Sequence, residues 1–93
     1  MPPPMNVNFW SAITVTLNAG GGPYSLFGDT PRRKRFFVQN PHGSGGTMFV
    51  GPDNLGAMNA LAEGESLELL HWTGPIWAQD GGVTLTFSAL QEG

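Results

Sequence analysis

Short runs of alternating apolar and polar residues are cut off repeatedly in this chain by clusters of glycine, proline and asparagine, and that punctuation narrows the folds open to it. Period-two alternation places successive side chains on opposite faces of an extended strand, whereas an amphipathic helix needs a period near 3.6. From Val7 the odd positions read Val7, Phe9, Ser11, Ile13, Val15 and Leu17, and the even ones Asn8, Trp10, Ala12, Thr14 and Thr16. This predicts a strand over 6–18 with one buried face and one half-exposed, threonine-lined face. Ala19-Gly20-Gly21-Gly22-Pro23 ends it, and the loop is expected to run on to Pro31.

Arg32 to Asn40 reads as a strand whose beginning is charged and exposed, stopping at the turn-initiating pair Asn40-Pro41. Gly43 to Gly46 is a loop, and Thr47 to Val50 a short strand closed by Gly51-Pro52-Asp53-Asn54, a spacing that suits a hairpin or meander. Residues 55–62 alone have helix-forming composition, and Gly56 and Gly64 restrict them to a short helix or plain loop. Ser66 to Trp72 alternates again, with Leu67 and Leu69 on one face and Glu68 and Leu70 on the other. Pro75 to Gln79 and Val83 to Leu90 complete the set, joined at Asp80-Gly81-Gly82 in what reads as a tight hairpin. The fold class expected is all-β: a small antiparallel β-sandwich or barrel of about six to eight strands with at most one short helix.

Ninety-three residues suffice for one domain with a thin core, here 6–93, preceded by an extended Pro-rich arm over 1–5. Charged residues are only 12% of the chain against 40% hydrophobic, so much of the surface must be neutral. With no cysteine, the disulfide props common in small domains are missing, which makes oligomerisation a natural source of stability. The absence of cysteine suits synthesis in a reducing cytoplasm. The start shows neither the basic nor the apolar region of a signal peptide, and no apolar run approaches membrane-spanning length, so no membrane association is expected.

Reactive chemistry has little to work with. Nucleophilic catalysis needs a base beside its nucleophile, and only His42 and His71 could serve. His42-Gly43-Ser44-Gly45-Gly46 lacks the glycine that a nucleophile elbow places two positions before its serine, and reads as a turn. Two scattered histidines without cysteine make a zinc site improbable, and His71 beside Trp72 reads as a partly buried packing residue. Lys34 stands in no phosphate-binding loop, and Glu63, Glu65 and Glu68 read as solvated charges. The expectation is a protein that is not an enzyme and holds no cofactor or metal.

The basic residues Arg32, Arg33, Lys34 and Arg35 are consecutive, while the seven acidic ones are dispersed. Beside Phe36 and Phe37 they could form the groove and stacking platform of a single-stranded nucleic-acid binder. A net charge of −3 counts against that, and a protein interface is the better use of such a spot. A third reading, a carbohydrate-binding module, requires at least one of Trp10, Trp72 and Trp77 to be exposed beside polar groups.

The succession Arg35-Phe36-Phe37-Val38-Gln39-Asn40, Met48-Phe49-Val50-Gly51, Leu61-Ala62-Glu63-Gly64-Glu65-Ser66-Leu67 and Ile76-Trp77-Ala78 resembles small virion structural proteins of tailed bacteriophages. The resemblance covers about residues 32–89 and consists of strand and turn signals. It implies a β-sandwich that assembles on a phage particle, as a head decoration or cement protein or another minor virion component. On that reading the partner is the major capsid protein or another virion protein. The chain would form homo-oligomers, trimers being favoured, and would reside in the virion, on the capsid surface, after assembly in the host cytoplasm. Docking would fall to Arg32, Arg33, Lys34 and Arg35, with Pro2, Pro3, Pro4 and Met5 as an arm.

Overall fold

A computed structural model describes residues 10–52 and 59–93, and the proposed arm over 1–5 lies outside them. The described residues form eight strands: β1 Trp10–Leu17, β2 Tyr24–Phe27, β3 Arg35–Gln39, β4 Met48–Gly51, β5 Asn59–Leu61, β6 Ser66–Leu70, β7 Ile76–Asp80 and β8 Leu85–Glu92. They form two four-stranded sheets, in the orders β1-β8-β3-β6 and β2-β7-β4-β5. Every pairing is antiparallel. The all-β expectation is met, with no helix among the described residues.

The pairing has a simple logic. The first strand pairs with the last, the second with the seventh, the third with the sixth and the fourth with the fifth. The chain is therefore one long antiparallel ribbon, wrapped so that β3 also meets β8 and β4 meets β7. This is the jelly-roll arrangement, which disposes eight strands as two Greek keys.

Wrapping corrects several sequence expectations. Asp80-Gly81-Gly82 is not a hairpin, because β7 and β8 belong to different sheets and the segment between them climbs from one to the other. Gly82 does take a positive φ of 110°. Likewise β3 and β4 lie in different sheets and do not pair, whereas β4 does pair antiparallel with the next strand, β5, as the hairpin spacing suggests. The loop expected to reach Pro31 contains β2, which pairs with β7 through a register shift between Ser25 and Phe27. Of the stretch considered for a helix, Asn59–Leu61 is a strand on β4, and residues 55–58 lie outside the described ones. His71 is exposed rather than packed, and it turns the chain out of β6 with φ 62°.

The core lies between the inner faces. Val15 and Leu17 of β1, Phe36 and Val38 of β3 and Leu85, Phe87 and Ala89 of β8 face Leu26, Met48, Val50, Leu61, Ile76 and Ala78 of the opposite sheet. On the outer face of β1, Thr14 and Thr16 meet Ser88 and Thr86 of β8, with side-chain oxygens 3.4 and 3.0 Å apart. The threonine-lined face, expected to be half-exposed, is exposed.

Buried polar side chains tie the ends of the sandwich. Asn40 donates through Nδ2 to the carbonyls of Gly46 and Leu61, both at 2.8 Å, while its backbone exchanges hydrogen bonds with Glu65 and Gly64. Gln39 adds a bond from Nε2 to the Gly64 carbonyl at 3.0 Å. Gly64 has φ 82°, and a β-carbon there would strike the His42 imidazole. The Gln39-Asn40 and Gly64-Glu65 segments, separate elements of the sequence pattern, are one joint in the structure.

At another corner, Asp80 Oδ2 accepts the amides of Gly82 at 2.9 Å and Gly20 at 3.1 Å, tying the β1–β2 loop to the β7–β8 crossing. These backbone donors, Gly20 first, hold its carboxyl below the ordinary value of 3.8. A depressed folded pKa stabilises the fold fully above the unfolded value, and the contribution disappears as the pH falls through the folded value. Thermal melts between neutral pH and strong acid should therefore show a decline below about pH 4. In Asp80→Asn that component of the decline should be missing, at the cost of a lower midpoint at neutral pH. An unchanged acid limb in Asp80→Asn would mean that Asp80 is not the titrating staple.

Candidate functional site

The consecutive basic residues do not form one spot. At the approach to β3 their side chains part: Arg32 and Lys34 are exposed, Arg33 is buried and Arg35 is half-buried. Arg33 is only 2% exposed. Its Nε donates to Gln91 Oε1 at 2.8 Å, Nη1 to the carbonyls of Trp72 and Gly74 at 3.0 and 2.8 Å, and Nη2 to the Gly28 carbonyl and Thr30 Oγ1, both at 3.0 Å. Every N–H of the guanidinium is used. Burial pushes its pKa down while nearby Asp29 opposes this, and the group remains a cation at any physiological pH. Phe27 lies 5.8 Å from the guanidinium carbon.

Arg35 turns to the outer face of the first sheet. Its Nε binds Glu68 at 2.5 Å, its Nη1 binds Glu92 at 2.6 Å, and its guanidinium covers the Phe37 ring at 5.3 Å. The bond to Glu68, then that to Glu92, raises its pKa. Glu68 is therefore an ion-pair partner, not merely a solvated charge. Glu63 and Glu65 are exposed but accept the backbone amides of Gly45 and Ala62, pinning the turn before β6.

What the fold assembles instead is an apolar strip across the first sheet. Register sets Ala12 opposite Leu90 and Leu90 opposite Phe37, with Trp10 one step along β1. Together with Gln39 and Ser88 these residues line a shallow hollow of about 350 Å³. Trp10 is 68% exposed. The row of Ala12, Leu90 and Phe37 lies between Thr14 and Ser88 on one side and Glu92 and Arg35, whose row Trp10 joins, on the other. Sequence inspection missed this strip because its members lie on three strands. The available signal was an aromatic or leucine on the otherwise polar face of each.

The Phe36 side chain is fully buried and cannot serve as a stacking platform, which withdraws half of the aromatic pair invoked for nucleic acid. Among the described residues, no three His, Cys, Asp or Glu side chains gather where they could hold a metal ion. No described helix is long and apolar enough to cross a membrane. A scan against family models, a search of curated proteins and a search of solved structures each returned no match.

Proposed function

We propose that this chain is a non-enzymatic structural protein of a bacteriophage virion, a head decoration or cement protein that binds the capsid surface and stabilises it through homo-oligomeric contacts. The observation that carries the reading is the outer strip of Trp10, Ala12, Phe37 and Leu90, apolar surface with polar and charged side chains at its margin, as partner-binding faces have. The resemblance over residues 32–89 and the jelly-roll order, an architecture that capsid and lectin domains use, support the virion setting by analogy. Of the basic residues, this reading assigns docking to the exposed Arg32 and Lys34, since Arg33 is buried.

The test is co-sedimentation of the full chain with expanded capsids of the phage encoded around its reading frame. Saturable binding is expected, reduced at least about tenfold by Leu90→Glu, since a charge buried at an interface costs more than 1.4 kcal/mol. A folded protein that never pellets with capsids would overturn the proposal. The exposure of Trp10 at a hollow that Gln39 and Ser88 also line favours carbohydrate binding as a second reading. Tryptophan fluorescence titrated with oligosaccharides separates the two: quenching that disappears in Trp10→Ala would favour the sugar.

A further inference from the structure

The four sheet edges are unequal. β2 and β5 are four and three residues long, and β2 is broken by a register shift. β6 carries Glu68 in its five residues. Shortness, irregularity and charge are the usual ways of keeping an edge from pairing with another chain. β1 has none of them. It runs for eight residues, Trp10 to Leu17, without charge or proline, and keeps continuous register with β8 from end to end. Among the described residues, no strand covers its outer side. Its side chains include Ile13, Thr14, Val15 and Thr16, β-branched residues that pack well on a pleated surface.

We infer that β1 is a homotypic docking edge: two copies of this chain pair antiparallel along β1, joining their first sheets into one continuous eight-stranded sheet. A second copy suits this edge because antiparallel pairing of identical strands about a two-fold axis is self-complementary, and an uncharged strand meets its own image without like-charge repulsion. Register follows from the pleat. Inner and outer faces match only when residues of equal parity oppose each other, which leaves two near-full registers, centred on Ile13 or on Thr14. Either places the strip containing Trp10 and Ala12 of each copy on the same side of the joined sheet, enlarging the face. The inference stands independently of the virion reading, since it concerns the purified chain alone.

Native mass measurement of the full chain should give a concentration-dependent species of twice the 9.9 kDa monomer. Because the chain has no cysteine, single replacements report geometry cleanly. Ile13→Cys and Thr14→Cys sit at the two register centres. Under mild oxidation at least one should form a covalent dimer about tenfold or more faster than Ser88→Cys, an exposed position on the interior strand β8, because pairing raises the effective thiol concentration. A monomer throughout, as expected if the edge accepts a strand from a different protein, would overturn the inference. So would a dimer in which neither β1 cysteine cross-links faster than Ser88→Cys.

Discussion

Arg33→Ala is expected to destabilise the domain by roughly 3 kcal/mol or more, because it leaves several neutral acceptors without their donor, at about 1–3 kcal/mol for each that stays buried and unsatisfied. Its neighbour Arg32→Ala should fall within about 0.5 kcal/mol of the parent, as exposed substitutions do. The difference arises because the Arg33 guanidinium satisfies acceptors from three parts of the chain: Gly28 and Thr30 before β3, Trp72 and Gly74 before β7, and Gln91 in β8. Removing it strands these acceptors in a site that water reaches poorly, and the Phe27 ring loses its cation. Arg33→Lys should recover little, since an ammonium has three donors and no planar fork to span the site. Urea midpoints for the three variants check this. Equal midpoints for Arg32→Ala and Arg33→Ala would show that the corner is not held by the guanidinium. A practical consequence concerns capsid binding: loss of binding in Arg33→Ala would report unfolding, so the basic residues must be probed at Arg32 and Lys34.

Phe36→Ala should be comparably damaging, at about 3–5 kcal/mol for a buried phenylalanine truncated to alanine. Its ring is inaccessible to solvent and meets Phe27 edge to face, with centroids 6.1 Å apart and planes at 81°. Domains have only about 5–15 kcal/mol in hand, so a 93-residue protein with this substitution would be marginal at 37 °C. Phe37→Ala, the next residue, is the control. Its ring is half-buried on the outer face beneath Arg35, so its removal should cost stability much less and affect the outer strip instead. Urea unfolding followed by tryptophan fluorescence should show a much lower midpoint for Phe36→Ala. A midpoint no lower than that of Phe37→Ala would place the wrong face of β3 in the core.

The contrast between Phe36 and Phe37 shows how far alternation carries. Period two put Val15 and Leu17 of β1 on one face and the threonines on the other, and Leu67 and Leu69 opposite Glu68 and Leu70, all as found. Alternation says nothing about which strands are neighbours. Asp80-Gly81-Gly82 has hairpin chemistry, and Gly82 uses the expected positive φ, yet the strands on either side part company. They do so because each arm of a wrapped ribbon must turn a corner between sheets, and glycine serves a corner as readily as a hairpin. β2 was hidden for a related reason: four residues between glycine-rich segments become a strand only because β7 is there to pair with them.

That the chain is all-β, where most strands lie and which faces are apolar were all legible in local patterns, because alternation and turn chemistry are properties of neighbouring residues. Long-range pairing closes the strands as a jelly roll, divides the run from Arg32 to Arg35 between interior and surface, and brings Trp10, Ala12, Leu90 and Phe37 into one strip. Those outcomes depend on pairings such as Trp10 with Glu92, between residues at opposite ends of the described chain. A run of four cations reads as a surface patch until the loops before β3 and β7 and the end of β8 close around one of them, and no local pattern records that closure.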